Sequence, residues 1–444
     1  MNAVTERTVP PSVPDGEVVD LCRDLIRLDT SNYGDGNGPG ERKAAEYVAE
    51  RLTEVGLDPT LLESEPGRTT VVARLDGGDA ARSEALLVHG HLDVVPADAA
   101  DWAHDPFSGE IAEGCVWGRG AIDMKDMDAM ILSVVRDRLR TGRLPARPVV
   151  LCFTADEEAG GILGSHWVAD HHPELFEGCT EGISEVGGFS LTVRDDLRLY
   201  LVQTAEKGIE WMRLTVDGTA GHGSMVNDDN PVTELAEAVA RLGRHEWPLR
   251  MIPTVRSFLD TAAEAYGVDL DPADRGQLVR TLGNVAKIVG ATLRNTATPT
   301  MLKAGYKHNV IPGRAEAVVD GRFLPGHEEE FHATLDDVLG PRVRREVLVS
   351  DIALETEFTG DLVDAMSAAL VAEDPGARAV PFCMSGGTDA KAFSGLGIRG
   401  FGFSPLRLPP DLDFAGMFHG VDERVPVDGL RFGARVLDRF LDLA

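Results

Sequence analysis

The chain has 444 residues, room for two or three domains at about 150 residues each, and its 43% apolar, 26% charged composition excludes a disordered, fibrous or coiled-coil protein. Forty-three Lys and Arg against 73 Asp and Glu leave a net charge of −30. Such a surface repels phosphate backbones and anionic headgroups, so no nucleic-acid or membrane partner is expected. Five scattered cysteines form no Cys-x-x-Cys pair, and the chain shows neither a signal-peptide pattern nor about 18 unbroken apolar residues. These features point to buried thiols in a cytoplasmic protein.

Helical spacing of apolar residues predicts two opening helices, VVDLCRDLIRL and ERKAAEYVAERLTEVGL. The β-branched runs TTVVARL, ALLVHGHLDVV and PVVLCFTADEE read as strands, two of them covered on both faces, with DMDAMILSVVRDRLRTG as a helix between the last two. Strand, helix and strand alternate as in an α/β sheet. Near Glu206 the texture changes: WMRLTVDGTAG, AEAVVDGRFLPG and RREVLV read as strands and NPVTELAEAVARLGR as a helix, a smaller α+β unit. After Asp351 the pattern returns with DLVDAMSAALVAE, ARAVPF, GIRGFGF and the helix VDGLRFGARVLDRFLDL. The expected organisation is an α/β domain over 1–206 and 351–444, interrupted by an α+β insert over 207–350. The run from Ser257 to Leu293 is read as additional helix within the insert.

The chemistry-bearing residues sit in loops beside glycines. His89-Gly90-His91-Leu92-Asp93 ends an apolar strand, where imidazole is a good zinc ligand and a nearby carboxylate can orient it. Gly118 to Asp126 runs into a helix, and Asp123 there either bridges two cations with its two oxygens or simply favours the helix dipole. Asp156-Glu157-Glu158 is a run of three carboxylates that repel one another unless a cation sits among them, the alternative being a solvated acidic turn. Glu185, in SEVGG, and His419, in FHG, complete a set sufficient for two metals sharing one Asp.

With HGHLDVVP, WAHDPFSG, GRGAIDMKD, TADEEAGG, SEVGG, GTAGHGS, HNVIPG, GRFLPG, SGGTDA and FHG in this order, the chain resembles the M20 family of co-catalytic zinc metallohydrolases from about Glu17 onward. The resemblance implies a mixed-sheet, zinc-peptidase-like catalytic domain interrupted by an α+β lid, or dimerisation, domain. It implies two Zn2+, with Co2+ or Mn2+ possible on the same ligands. His91, Asp123 and Glu185 would hold one metal; Asp123, Glu158 and His419 would hold the other. Asp93 would orient His91, and Glu157 would be the general base acting on a metal-activated water. His222 would reach across a homodimer to the partner's site and help stabilise the oxyanion. Asn309 and Arg322 would contact the substrate, the Arg by gripping a carboxylate, and Gly386, Gly387, Thr388 and Asp389 would line its pocket.

A Glu at position 185 resembles the aminoacylase, deacylase and carboxypeptidase branches more than the carnosinase-type dipeptidases. The expected substrate is therefore a small N-acyl amino acid or short peptide with a free carboxylate. Dipeptides, carbamates and ureido acids are the alternatives on the same site, and a non-catalytic protein is disfavoured because no ligand or base is missing. Two departures bear on the pocket: Val186 stands where many relatives have Gly, and the Ser257 to Leu293 stretch is longer than in simple lids.

Overall fold

The computed structural model describes residues 14–34, 36–79, 83–283 and 285–444. The opening helices run Val18–Arg27 and Arg42–Thr53, each burying one apolar stripe. Both continuous apolar runs are central strands, Ala85–His91 and Val149–Thr154, buried along their whole length. They pair in parallel and are joined through the helix Lys125–Thr141.

Among the described residues the large sheet has ten strands. Its main path runs Thr60–Glu65, Arg68–Leu75, Val149–Thr154, Ala85–His91, Cys179–Ser184, Arg399–Gly402, Leu197–Glu206 and Leu354–Glu355. Ala377–Met384 and Phe189–Arg194 also pair with Leu197–Glu206, the first in parallel and the second antiparallel. The middle of the path is parallel and its first two pairs antiparallel, so the fold is the expected mixed-sheet α/β class.

A second, antiparallel sheet of order Thr296–Ala304, Arg314–Phe323, Gly208–Asp217 and Arg344–Asp351 carries the helices Pro231–Arg244 and Glu328–Leu339. It has its own core, with Met212, Leu214, Leu235 and Phe331 at its centre. The chain leaves the large sheet at Glu206 and enters this unit at Gly208; it returns after Asp351. The Ser257 to Leu293 region is helical, as expected, over Pro253–Tyr266, Arg275–Leu282 and Val285–Ala291. Its packing differs from expectation. Val255, Phe258, Leu259, Ala262, Leu282 and Val289 join the core of the large sheet, the first helix lying against Ala377–Met384, rather than the core of the insert. An apolar stripe shows that a helix packs, not on which sheet.

The strands Leu197–Glu206 and Ala377–Met384 are pinned at one end by Asp374, which is 1% exposed and accepts from both the Arg198 guanidinium and Tyr200 Oη. Burial alone would raise the Asp374 carboxyl, but these donors outweigh it and hold it below the usual range. The unfolded chain therefore binds this proton more readily. The stability that Asp374 supplies is complete above the unfolded value of about 4 and is lost as pH falls through the lower folded value. Asp374→Asn should lower the unfolding free energy at pH 7 by about 3 kcal/mol and flatten the acid limb of a urea-denaturation series. An unchanged limb would remove Asp374 from this role.

Candidate active site

Open α/β sheets bind ligands beyond the carboxyl ends of their strands, and the motif residues lie there. His91 is the last residue of Ala85–His91 and is in register with Thr154, two residues before Asp156. Glu185 follows Cys179–Ser184 directly, and the Gly386 to Asp389 loop follows Ala377–Met384. Asp123 lies two residues before the start of the helix at Lys125, joined to Met124 by a cis peptide bond. His419 follows the short helix Phe414–Met417. Gly90 leaves room for two side chains: a Cβ there would lie 2.4 Å from Asp128 Oδ1 and 2.7 Å from Met124 Cε, so both would have to shift.

The two oxygens of Asp123 face different imidazoles, Oδ1 at 3.1 Å from His91 Nε2 and Oδ2 at 3.3 Å from His419 Nε2. Glu185 Oε2 is 3.5 Å from His91 Nε2, and Glu158 Oε2 is 3.0 Å from His419 Nε2. Glu157 Oε2 stands further off, 3.9 Å from His91 Nε2. The potential ligand atoms of His91, Asp123 and Glu158 lie within 4.8 Å of one another, as do those of His91, Glu157 and Glu185.

Asp93 meets His91 through its main chain. The His91 Nδ1–H donates to the backbone carbonyl of Asp93 at 2.9 Å, while the Asp93 carboxylate is 3.6 Å from the ring. That carboxylate instead accepts from the backbone N–H groups of Glu157 and Glu158, both at 3.1 Å, and from Asn32 Nδ2 at 2.8 Å. Two of these donors are on Oδ2 and one on Oδ1, the oxygen nearer the ring. The carboxylate fixes the acidic turn, and the carbonyl fixes the ring.

Burial raises the Glu157 carboxyl well above its ordinary range, and the neighbouring Glu185 charge adds to this. Burial likewise pushes Glu185 up to about 8, against the pull of His91. Asp123 is the exception: burial would raise it, but hydrogen bonds from His419 and His91 bring it well below the carboxylate range. Those same contacts, to Asp123 and then Glu158, push His419 up to about 10. Four carboxylates and two imidazoles thus converge in a mostly buried space, and two divalent cations would balance the carboxylates' charge. The donor set fits a dinuclear metal site with mixed N and O ligands.

Asp123, Glu157, Glu158, Glu185 and His419 line a cavity of about 660 Å³ that Arg322, Gly386, Gly387, Thr388 and Asp389 also reach. Arg322 is engaged with Asp320, at 2.7 Å and 3.3 Å. Thr388 N–H donates to Glu206 Oε2 at 2.7 Å, and Asp389 accepts from Thr154 Oγ1 and Ser165 Oγ, each at 2.5 Å. His222 and Asn309 are not at the cavity. They are exposed neighbours on the insert, where His222 pairs with Val310 and Gly223 N–H donates to the Asn309 carbonyl at 2.9 Å.

Two supporting residues escaped the sequence reading. Asn32 links Asp93 to Asp156, its Nδ2 donating to Asp156 Oδ1 at 3.1 Å. Glu423 holds the loop before Asp123 by accepting from Ile122 N–H at 2.7 Å, Gly120 N–H at 3.1 Å and Arg119 Nη1 at 2.6 Å. Asn32 falls in the turn-like segment SNYGDGNG, and Glu423 lies 301 and 303 residues from Ile122 and Gly120. Neither carries a local signal.

Residues 87–443 match the model of peptidase family M20/M25/M40. The chain is 27% identical to the aminoacylase-1 of Sus scrofa, over 92% of this chain and 90% of that protein. It is 26% identical to the N-fatty-acyl-amino acid synthase/hydrolase PM20D1 of Xenopus tropicalis, over 93% of this chain and 83% of that one. Among solved structures, the M20 family metallo-carboxypeptidase Sso-CP2 of Sulfolobus solfataricus superposes with a TM-score of 0.74 at 19% identity, covering 96% of this chain and 99% of that one.

Proposed function

The chain belongs to peptidase family M20/M25/M40, and on that premise we propose that it is a two-metal enzyme, with zinc the expected ion, acting on N-acyl amino acids or short peptides with a free carboxylate. That it is a metal-dependent hydrolase of amide or peptide bonds follows from the family. The observation that carries the finer reading is Asp123, which turns one oxygen toward each of two imidazoles, each imidazole with its own Glu. His91, Asp123 and Glu185 would hold one cation and Asp123, Glu158 and His419 the other. Bound there, two cations supply Lewis acidity, polarising a carbonyl and making water a stronger nucleophile.

The chain's own residues do the rest. Glu157 is a part-buried carboxylate at the edge of the donor set; it takes the proton of the attacking water at Oε and passes it to the departing amine nitrogen. No covalent enzyme intermediate is needed. Arg322 would exchange Asp320 for the substrate carboxylate, which suits the same bidentate geometry. The bare backbone of Gly386 and Gly387, beside the small Thr388, would let the substrate backbone lie close. Free, mostly buried cysteines and the absence of a membrane-crossing helix among the described residues fit a cytoplasmic setting. The test is hydrolysis of a panel of N-acyl amino acids, dipeptides and ureido acids, with metal removed and restored on one sample. Cleavage that does not depend on metal would overturn the reading.

His222 and Asn309 enter through a second copy. Among the described residues the insert's outer strand Thr296–Ala304 pairs along one edge only, and it exposes Met301 and Leu302, 66% and 62% accessible, the kind of edge that a second chain covers. In solution the protein should sediment at twice the chain mass, and His222→Ala should lower kcat by about 10² to 10³ with metal retained. A monomer that turns over normally would overturn both assignments.

A further inference from the structure

We propose that one wall of the cavity is an acyl-binding pocket and that the substrates are amino acids acylated with a large apolar group. The inference rests on the amide-hydrolase reading above and narrows it. The wall is formed by Val186, Phe189, Phe382, Met384 and Phe418. Phe189 packs on Phe382 and on Phe414, with centroids at 5.8 Å and 4.9 Å, and Phe414 packs on Phe418 at 5.2 Å. Phe189 and Phe382 are 4% and 2% exposed, so the surface is fixed by the core behind it rather than assembled by the ligand.

Size and polarity agree. A volume of about 660 Å³ equals that of about 20 waters at about 30 Å³ apiece, several times what an acetyl-bearing small amino acid would fill. Arg322, Gly387 and Thr388 line the same cavity and supply a polar end. An apolar tail, an amide and a carboxylate would each find a counterpart on this lining, in the apolar wall, the His and carboxylate cluster and the arginine. The acyl chain begins at the reacting carbon, so its pocket must begin at the cluster. Val186 and Phe418 are the immediate chain neighbours of Glu185 and His419.

Val186 gives an independent argument. Its φ is +53°, the left-handed region that a β-branched residue avoids because its methyl groups crowd its own backbone. Glycine would adopt that turn freely. What valine adds at this strained position is an isopropyl group on the cavity wall beside Glu185.

The experiment uses the metal-replete full chain and N-acylglycines of increasing length, from acetyl to octanoyl, below their aggregation limits, with N-acetyl-leucine, N-acetyl-phenylalanine and dipeptides alongside. For the acyl series, kcat/KM should rise about fourfold per methylene, the equivalent of about 0.8 kcal/mol per buried CH2, until the wall is filled. Val186→Gly should melt no lower than the parent, yet its octanoyl to acetyl ratio of kcat/KM should fall by about tenfold. Met384→Ala should show the same fall and serves if the first variant loses metal. Cleavage of acetyl substrates or dipeptides with no acyl-length effect, or a preference that follows the amino-acid side chain instead, overturns the pocket alone. Failure of the metal-loaded protein to cleave any of the panel overturns the underlying reading and the pocket with it.

Discussion

Glu157→Gln should lower kcat by about 10² to 10⁴ while the protein keeps its full complement of metal. Gln has nearly the volume and shape of Glu but cannot accept a proton from water, so the variant isolates proton transfer from packing. The geometry makes the metal count decisive. Glu157 Oε2 is the most distant of the three carboxylate oxygens around His91 Nε2, at 3.9 Å against 3.1 Å for Asp123 and 3.5 Å for Glu185, yet it lies within ligand spacing of His91 and Glu185. A base leaves metal content unchanged when neutralised; a ligand does not. Elemental analysis and single-turnover rates on the same sample separate the two. Loss of one metal in Glu157→Gln would make Glu157 a ligand, and full turnover would remove it from proton transfer.

What the sequence made legible was whatever is local. His91, Glu157, Glu158 and Glu185 are each attached to the end of an apolar strand, so a motif read with its strand already places them at one edge of the sheet. The parallel unit Ala85–His91 and Val149–Thr154 was readable for the same reason. What was not legible depends on contacts between distant segments. The Pro253–Tyr266 helix has an unambiguous apolar stripe, but only the folded chain shows that Phe258 and Leu259 meet the large sheet rather than the insert. The atom by which Asp93 holds His91 is likewise invisible in sequence: it is the backbone carbonyl, while the carboxylate is taken up by the acidic turn. Asn32 and Glu423 hold the site through hydrogen bonds made over 61 or more residues of chain. The strained backbone of Val186 is equally unreadable: the sequence shows only a valine where glycine is common, and its φ turns that departure into evidence about the pocket.

Asp123→Asn should reduce bound metal from about two per chain to one or fewer and lower activity by more than any other single conservative change in the cluster. The reason is the division of labour between its two oxygens. Oδ1 is directed to the His91 side and Oδ2 to the His419 side, and an amide keeps one acceptor while turning the other position into an N–H2 donor that repels a cation. Substituting His91 or His419 by Ala removes a ligand from one side only, so each of those variants should keep a metal on the other side, weakly held. His419 is the better first comparison, since its side chain is 56% exposed and its loss disturbs packing least. The folded state should survive in Asp123→Asn, because the loop before it is held by Glu423 through the backbone of Gly120 and Ile122 and not through the Asp123 side chain. Metal counted after dialysis, beside a thermal melt of the same preparation, decides the matter. Two tightly held metals in Asp123→Asn would show that the cations do not share this carboxylate, and the two halves of the cluster would then have to be assigned to separate mononuclear sites.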